Sequence, residues 1–147
     1  MNMYKGSCLC GGVRFELDGP LGPIVCCHCP DCRKAQGTAF ATVAPIARKD
    51  FRLLSGDDLL AEYELSPGKQ RVFCKRCGSP LFSKRDADPA VLRLRIGALD
   101  TPVDAPVTGH IWVSTKAPWH EIGDDAPRHE KFEPTRMPGS SGAVPNR

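Results

Sequence analysis

The chain reads as a mainly β protein of several short strands, on three observations. Short apolar or alternating runs recur along its length, turn-forming residues fall regularly between them, and no stretch of helical period reaches three good turns. The first run, 13–17 (VRFEL), alternates with the period of a half-buried strand, and 23–27 follows it. A short helix is expected from Pro30 to about Gln36, with proline in its first turn and Gly37 just beyond its end. Strands are then expected at 38–43, 59–65, 70–74 and 81–84. Two more follow at 91–96 (VLRLRI, again alternating) and 110–114. Asp18-Gly19-Pro20, Ser55-Gly56-Asp57, Ser66-Pro67-Gly68 and Asp88-Pro89 punctuate the series. Such a succession makes a sheet or barrel-like architecture.

A length of 147 residues suits a single domain with one ordinary core, and 41% hydrophobic with 25% charged residues is a globular composition. The domain is expected to span 1–133. Residues 134–147, rich in Pro, Gly and Ser, read as a flexible tail. The formal charge of +3 comes from 20 basic and 17 acidic residues, and Arg136 and Arg147 lie in that acid-free tail. A near-neutral folded part gives no reason to expect nucleic acid or an anionic membrane. No run approaches the length of a membrane span, and the opening MNMYKGSCLC lacks the apolar segment of an export signal. A cytoplasmic location is therefore expected, where clustered thiols mean metal more often than disulfides.

The eight cysteines fall into three groups: Cys8-x-Cys10, Cys26-Cys27-x-Cys29-x2-Cys32 and Cys74-x2-Cys77. FCKRCG reads as a zinc knuckle, in which a tight turn aims two sulfurs at one ion and the following glycine, Gly78, accepts positive φ. The other two ligands are expected from Cys8 and Cys10, which share a face if the segment is a strand. Cys8, Cys10, Cys74 and Cys77 would then form a closed, structural zinc site. In the middle group, Cys27 and Cys29 lie on one side of an extended segment and Cys32 returns from the first helical turn. Cys26 and His28 point the other way. Three ligands and one vacant position is the pattern of a catalytic zinc. The competing readings are a second structural zinc, closed by Cys26, His28 or a distant histidine, and an iron–sulfur run, whose fourth ligand would fall on Gln36.

Taken together, GSCLCGGVRF, CCHCPDCRKAQGTAF, VFCKRCGSPLF and HIWVSTKAPWHEI resemble the glutathione-dependent formaldehyde-activating family, which shares the CENP-V/GFA domain. The resemblance runs from about residue 5 to 133. It implies an Mss4-like, mainly β fold of short-stranded sheets stapled by two zinc ions per chain. The structural ion would sit on Cys8, Cys10, Cys74 and Cys77, and the catalytic one on Cys27, Cys29 and Cys32. It also implies carbon–sulfur lyase chemistry, in which a small-molecule thiol, glutathione, and an aldehyde, formaldehyde, form or release S-hydroxymethylglutathione. The alternative is a zinc-binding module, or a glutathione carrier without turnover.

Zinc with three thiolates carries a formal charge of −1 and accepts a soft sulfur ligand readily. Bound thiolate would be held as a nucleophile for an aldehyde carbon. The centre then reaches −2, so a cation is expected nearby. Arg33 and Lys34 follow the last ligand directly, and a guanidinium also suits the carboxylates of glutathione. Arg33 is the cation assigned to the catalytic group. His28, His110 and His120 are candidates to move a proton, against the plainer reading of hydrogen-bonded core or surface histidines. Trp112 and Trp119 fit a pocket wall or ordinary packing equally well. The protease HExxH, the deaminase H-x-E with P-C-x-x-C, and G-x-S-x-G are absent.

Overall fold

The structure, a computed structural model, describes residues 3–134, so the tail expected over 134–147 lies, from residue 135 on, outside the described residues. The smaller of its two sheets holds β1 (Met3–Ser7), β2 (Arg14–Asp18) and β5 (Phe51–Ser55) in the order β1-β2-β5. The larger sheet is built from seven strands. They are β3 (Ile24–Cys27), β4 (Ala41–Ala47), β6 (Leu60–Ser66), β7 (Lys69–Cys74), β8 (Pro80–Arg85), β9 (Val91–Arg95) and β10 (Val107–Ile111). Their order is β10-β3-β4-β9-β8-β7-β6. All pairings are antiparallel except β10 with β3. No helix among the described residues is long and apolar enough to cross a membrane.

The mainly β architecture is as the sequence pattern predicts, with local differences. The run expected at 38–43 forms a strand only from Ala41 and continues to Ala47 through Pro45. Proline is tolerated there because the ladder with β3 ends at Val25↔Val43, so no amide is needed at 45 on that side, and its carbonyl accepts from the Gly22 amide at 2.8 Å. The last strand is shifted back to Val107–Ile111, and the segment after it becomes a 3-10 turn at Val113–Thr115. Strands β1 and β5 have no counterpart among the expected runs, because MYKGS and FRLLS lack clean alternation.

The two faces of the larger sheet do different work. On one, β2 brings Phe15 and Leu17 against Ile46, Val72, Leu81, Phe82, Leu92 and Leu94, all buried. The Phe51 ring stacks on Phe15 with centroids 5.1 Å apart and meets Phe82 edge-on at 5.3 Å. This is the main apolar core and the tie between the sheets. On the other face, Val25, Cys27, Ala41, Val43, Ile111 and Trp112 form a second cluster with Cys29 and Cys32. Residues directly opposite on neighbouring strands share a face. The pairs Val43↔Arg95, Pro45↔Arg93, Ser83↔Arg93, Arg71↔Ser83 and Lys69↔Arg85 therefore extend that face from thiols to cations.

Candidate metal centres and their surroundings

The one α-helix among the described residues, α1 (Pro30–Gln36), starts and stops where its sequence signals place it. Cys29, in extended backbone at φ −72° and ψ 157°, caps it by accepting the Cys32 amide on Sγ at 3.3 Å. Pro30 opens the first turn, and Gly37 closes the helix at φ 67°, its amide donating to the Arg33 carbonyl at 2.8 Å. Cys27 ends β3, so strand end, cap and first helical turn each deliver one sulfur. The three sulfurs lie within 4.8 Å of one another. Their residues are only 7%, 3% and 7% exposed, so any ligand must reach the centre through a narrow approach.

A second set, the Sγ atoms of Cys8, Cys10, Cys74 and Cys77, also converges within 4.8 Å. Sulfur separations of 3.5 Å (Cys8 to Cys10) and 3.9 Å (Cys10 to Cys74) match the ~3.8 Å edge of a tetrahedron with bonds of about 2.3 Å. Gly78 has φ 80°, as the knuckle requires, and its amide donates to the Cys74 carbonyl at 2.7 Å. The Val13 amide and the Arg76 guanidinium each donate to a sulfur, at 3.2 Å on Cys8 and 3.2 Å on Cys10. A hydrogen bond from Ser79 holds the Cys77 thiol down at about 5. The Gly12 amide and then Arg76 lower Cys10. These donors favour thiolate, the metal-binding form. The route to convergence differs from the expected strand, because Cys8 to Gly11 is a turn just past β1, closed by the Gly11 amide on the Cys8 carbonyl at 3.0 Å. Two cysteine groups could thus each hold a metal ion, one with four thiolates and one with three.

Electrostatics single out Cys32 within the three-thiol group. Hydrogen bonds from the thiols of Cys27 and Cys29, reinforced by the charges of Arg71 and Arg95, hold it well below the usual thiol range. The Arg71 Nη2 lies 3.7 Å from the Cys32 sulfur. Arg95, only 6% exposed, donates to the Arg93 carbonyl at 3.2 Å. Burial lowers its guanidinium to about 10, and the thiolates of Cys32, Cys27 and Cys29 oppose that shift. Lys69 stands further along the same face, lowered to about 8 by burial and by Arg85 and Arg71. The cations at the thiolates therefore come from β7 and β9. Arg33 and Lys34, the expected ones, line a shallow hollow with Pro30, Gly37, Thr38 and Trp119. Nothing in the local sequence around Cys32 points to Arg71 or Arg95. The available signal is the basic half of the VLRLRI alternation.

Cys26 and His28 turn away from the three sulfurs, as expected. Cys26 is 2% exposed, and its sulfur lies 3.8 Å from the Thr42 hydroxyl. His28 is fully buried and its Nε2 is 2.9 Å from His110 Nδ1, while His110 Nε2 meets both oxygens of Asp124 at 3.0 Å. His120 stacks against His28 with ring centroids 6.1 Å apart. Burial first, then the charges of His110, His120 and Lys116, bring His28 down to about 4, so it is neutral at pH 7. This histidine line ties the end of β3, β10 and the segment around Asp124 together, and no motif points to Asp124. Trp112, at φ 58°, walls the three-thiol cluster and packs edge-on against Phe132 at 5.4 Å. Trp119, in contrast, is 69% exposed.

Comparisons with known proteins agree with this geometry. A Halomonas elongata protein named for glutathione-dependent formaldehyde activation is 30% identical over 128 residues, which is 82% of this chain and 81% of that one. A Schizosaccharomyces pombe protein described as a lyase is 28% identical over 82 residues, 56% of this chain and 58% of its own length. A Rhodobacter sphaeroides protein of known crystal structure shares the fold with a TM-score of 0.58 and 24% identity, over 68% of this chain and 91% of that one. The family model described as glutathione-dependent formaldehyde-activating enzyme matches residues 3–115, which contain both cysteine groups, and the chain belongs to that family.

Proposed function

We propose that this protein is a zinc-dependent carbon–sulfur lyase that forms or cleaves the adduct of a thiol with an aldehyde, glutathione and formaldehyde being the first pair to test. The observation that carries the reading is the convergence of Cys27, Cys29 and Cys32 with two guanidinium groups beside them, and with Cys26 and His28 turned elsewhere. Three thiolates fit zinc and leave one position of a tetrahedron to the substrate; four at the other site close it. Zinc bound there would supply a place for the substrate sulfur as thiolate.

The residues of the chain do the rest. Cys27, Cys29 and Cys32 fix the position, while Arg71 and Arg95 offset the negative charge that a fourth sulfur adds. Trp112 and Phe132 keep the site dry. Arg33 is a candidate partner for a substrate carboxylate near the start of α1. In the net reaction, sulfur bonds to the aldehyde carbon, the carbon–oxygen π bond opens onto oxygen, and that oxygen takes the proton the thiol gave up. Cleavage is the reverse.

A second reading, a zinc-binding domain or glutathione carrier without turnover, is favoured by the low exposure of all three thiols. The two are separated by exchange NMR of glutathione with formaldehyde. A lyase accelerates interconversion at catalytic concentration and the Cys32→Ser variant does not, whereas a carrier shifts populations only in proportion to its own amount.

A further inference from the structure

A thiol reacts with electrophiles according to its thiolate character and its access to solvent. Either cysteine group becomes thiolate on binding zinc, so access decides which sulfur is struck first. Cys27, Cys29 and Cys32 are buried. In the four-thiol group Cys8 and Cys74 are buried and Cys77 is half-buried, but Cys10 is exposed. Zinc with four thiolates carries a formal charge of −2, and here one corner of that anionic centre faces water. Leu9, next to it in the chain, is 87% exposed and adds an apolar neighbour.

Arg76, inside the knuckle turn between Cys74 and Cys77, lays its side chain against that corner. Its Nε donates to the Cys10 sulfur at 3.2 Å. The absence of a side chain at Gly12 leaves the space. A Cβ there would stand 2.6 Å from Arg76 Nη2 and 2.5 Å from Leu59 Cδ1. The Gly12 amide donates to the same sulfur. A hydrogen bond to a metal-bound sulfur draws on its lone pairs and lowers its nucleophilicity, as outer donors tune a ligand generally. The donors at Cys8 and Cys77 are the Val13 amide and the short Ser79 side chain, both held by the local turns. Arg76 instead brings its donor on a long, exposed side chain that can swing away.

We propose that Cys10 is a modification site for soft, neutral electrophiles of the α,β-unsaturated carbonyl class, and that Arg76 restrains it. The Cys10 thiolate adds to the β-carbon and the carbon–carbon π pair moves onto the α-carbon. That carbon takes a proton from water and leaves hydroxide. Cys10 becomes a neutral thioether, a far weaker ligand for zinc, and the closed set loses one of its four anchors. The centre assigned to structure is then struck before the one assigned to chemistry. The inference needs zinc on the four thiols and does not depend on the lyase reading.

The test treats the zinc-loaded full chain with less than one equivalent of N-ethylmaleimide. Tandem mass spectrometry of the singly modified chain is expected to place the adduct on Cys10. Zinc release, followed with a chromogenic chelator, should keep pace with it. Arg76→Gln should raise both rates about threefold to tenfold, the range for losing part of a charge-assisted hydrogen bond. Arg76→Lys should restore part of the protection. Gly12→Ala keeps the guanidinium and the amide at residue 12 but pushes the Arg76 side chain aside, so it should accelerate modification as well. Circular dichroism identifies any variant that has unfolded, and the folded ones carry the comparison. A first adduct on any other cysteine, zinc retained after Cys10 is modified, or unchanged rates in the folded variants overturns the proposal.

Discussion

Arg71 on β7 places its guanidinium 3.7 Å from the sulfur of Cys32, 39 positions earlier in the chain. That contact joins β7, which lies beside the edge strand β6 of the larger sheet, to the first turn of α1. It gives the three-thiol centre a counter-charge from a distant strand. On the lyase reading, Arg71→Gln should lower kcat/KM for glutathione about tenfold or more, with Arg71→Lys recovering part of it. Steady-state kinetics of both variants beside Arg33→Gln check this. An equal loss in Arg33→Gln alone would return the role to the helix.

The two cysteine groups should separate cleanly in their effect on the protein. Cys77→Ser removes a ligand from a closed set, so folding is compromised and zinc is lost together with the cooperative unfolding transition. Cys32→Ser should cost one zinc per chain and abolish turnover, while circular dichroism and most of the thermal stability persist. Metal analysis and a melt on the same samples provide the check, and global unfolding of Cys32→Ser speaks against a catalytic centre.

Phe15 is one of the side chains by which the smaller sheet packs on the core it shares with the larger one. It is 1% exposed and stacks on Phe51, which in turn meets Phe82. Phe15→Ala should cost about 3–5 kcal/mol of unfolding free energy in a urea titration, from lost transfer energy and the cavity left behind. A loss below about 1 kcal/mol would mean the sheets are tied elsewhere.

Much of this core was legible because apolar alternation is local. The 13–17 run already paired Phe15 with Leu17 on one face, and α1 was delimited by Pro30 and Gly37. The cysteine groups were legible for the same reason, since knuckle spacing and the strand-to-helix path fix where sulfurs point. Arg95 was not. Alternation in VLRLRI implies a wet face opposite Leu92 and Leu94, yet Arg95 on that face is buried and acts on the distant sulfur of Cys32. Asp124 was hidden likewise, since its contact with His110 crosses a loop that has no period to read.

The histidine line gives a pH-dependent prediction. Folding lowers the Asp124 carboxyl, chiefly through the Ala126 amide and then through His110. A group depressed in the folded state contributes stability above its unfolded pKa and loses it as the pH falls through the folded value. Asp124→Asn should therefore melt at a lower temperature than the parent at neutral pH. The gap should close as the pH drops below the ordinary carboxylate range. Scanning calorimetry across that interval checks the sign. Turnover should change little, because His28 and His110 face away from the three sulfurs; a loss of a hundredfold would bring them into the chemistry.

On the lyase reading, the centre of Cys27, Cys29 and Cys32 has room for one more sulfur. Absorption of the cobalt-substituted protein tests it most directly, because thiolate-to-cobalt charge transfer grows with each thiolate bound. Titration with glutathione is predicted to add one thiolate per chain, with saturation at one equivalent and a d–d envelope moving toward four-sulfur coordination at one ion only. In Cys32→Ser the increment should vanish. A spectrum unmoved by glutathione in the parent protein, with both cobalt ions already in four-ligand protein sites, would make this a closed two-metal domain and rule out an open thiol position.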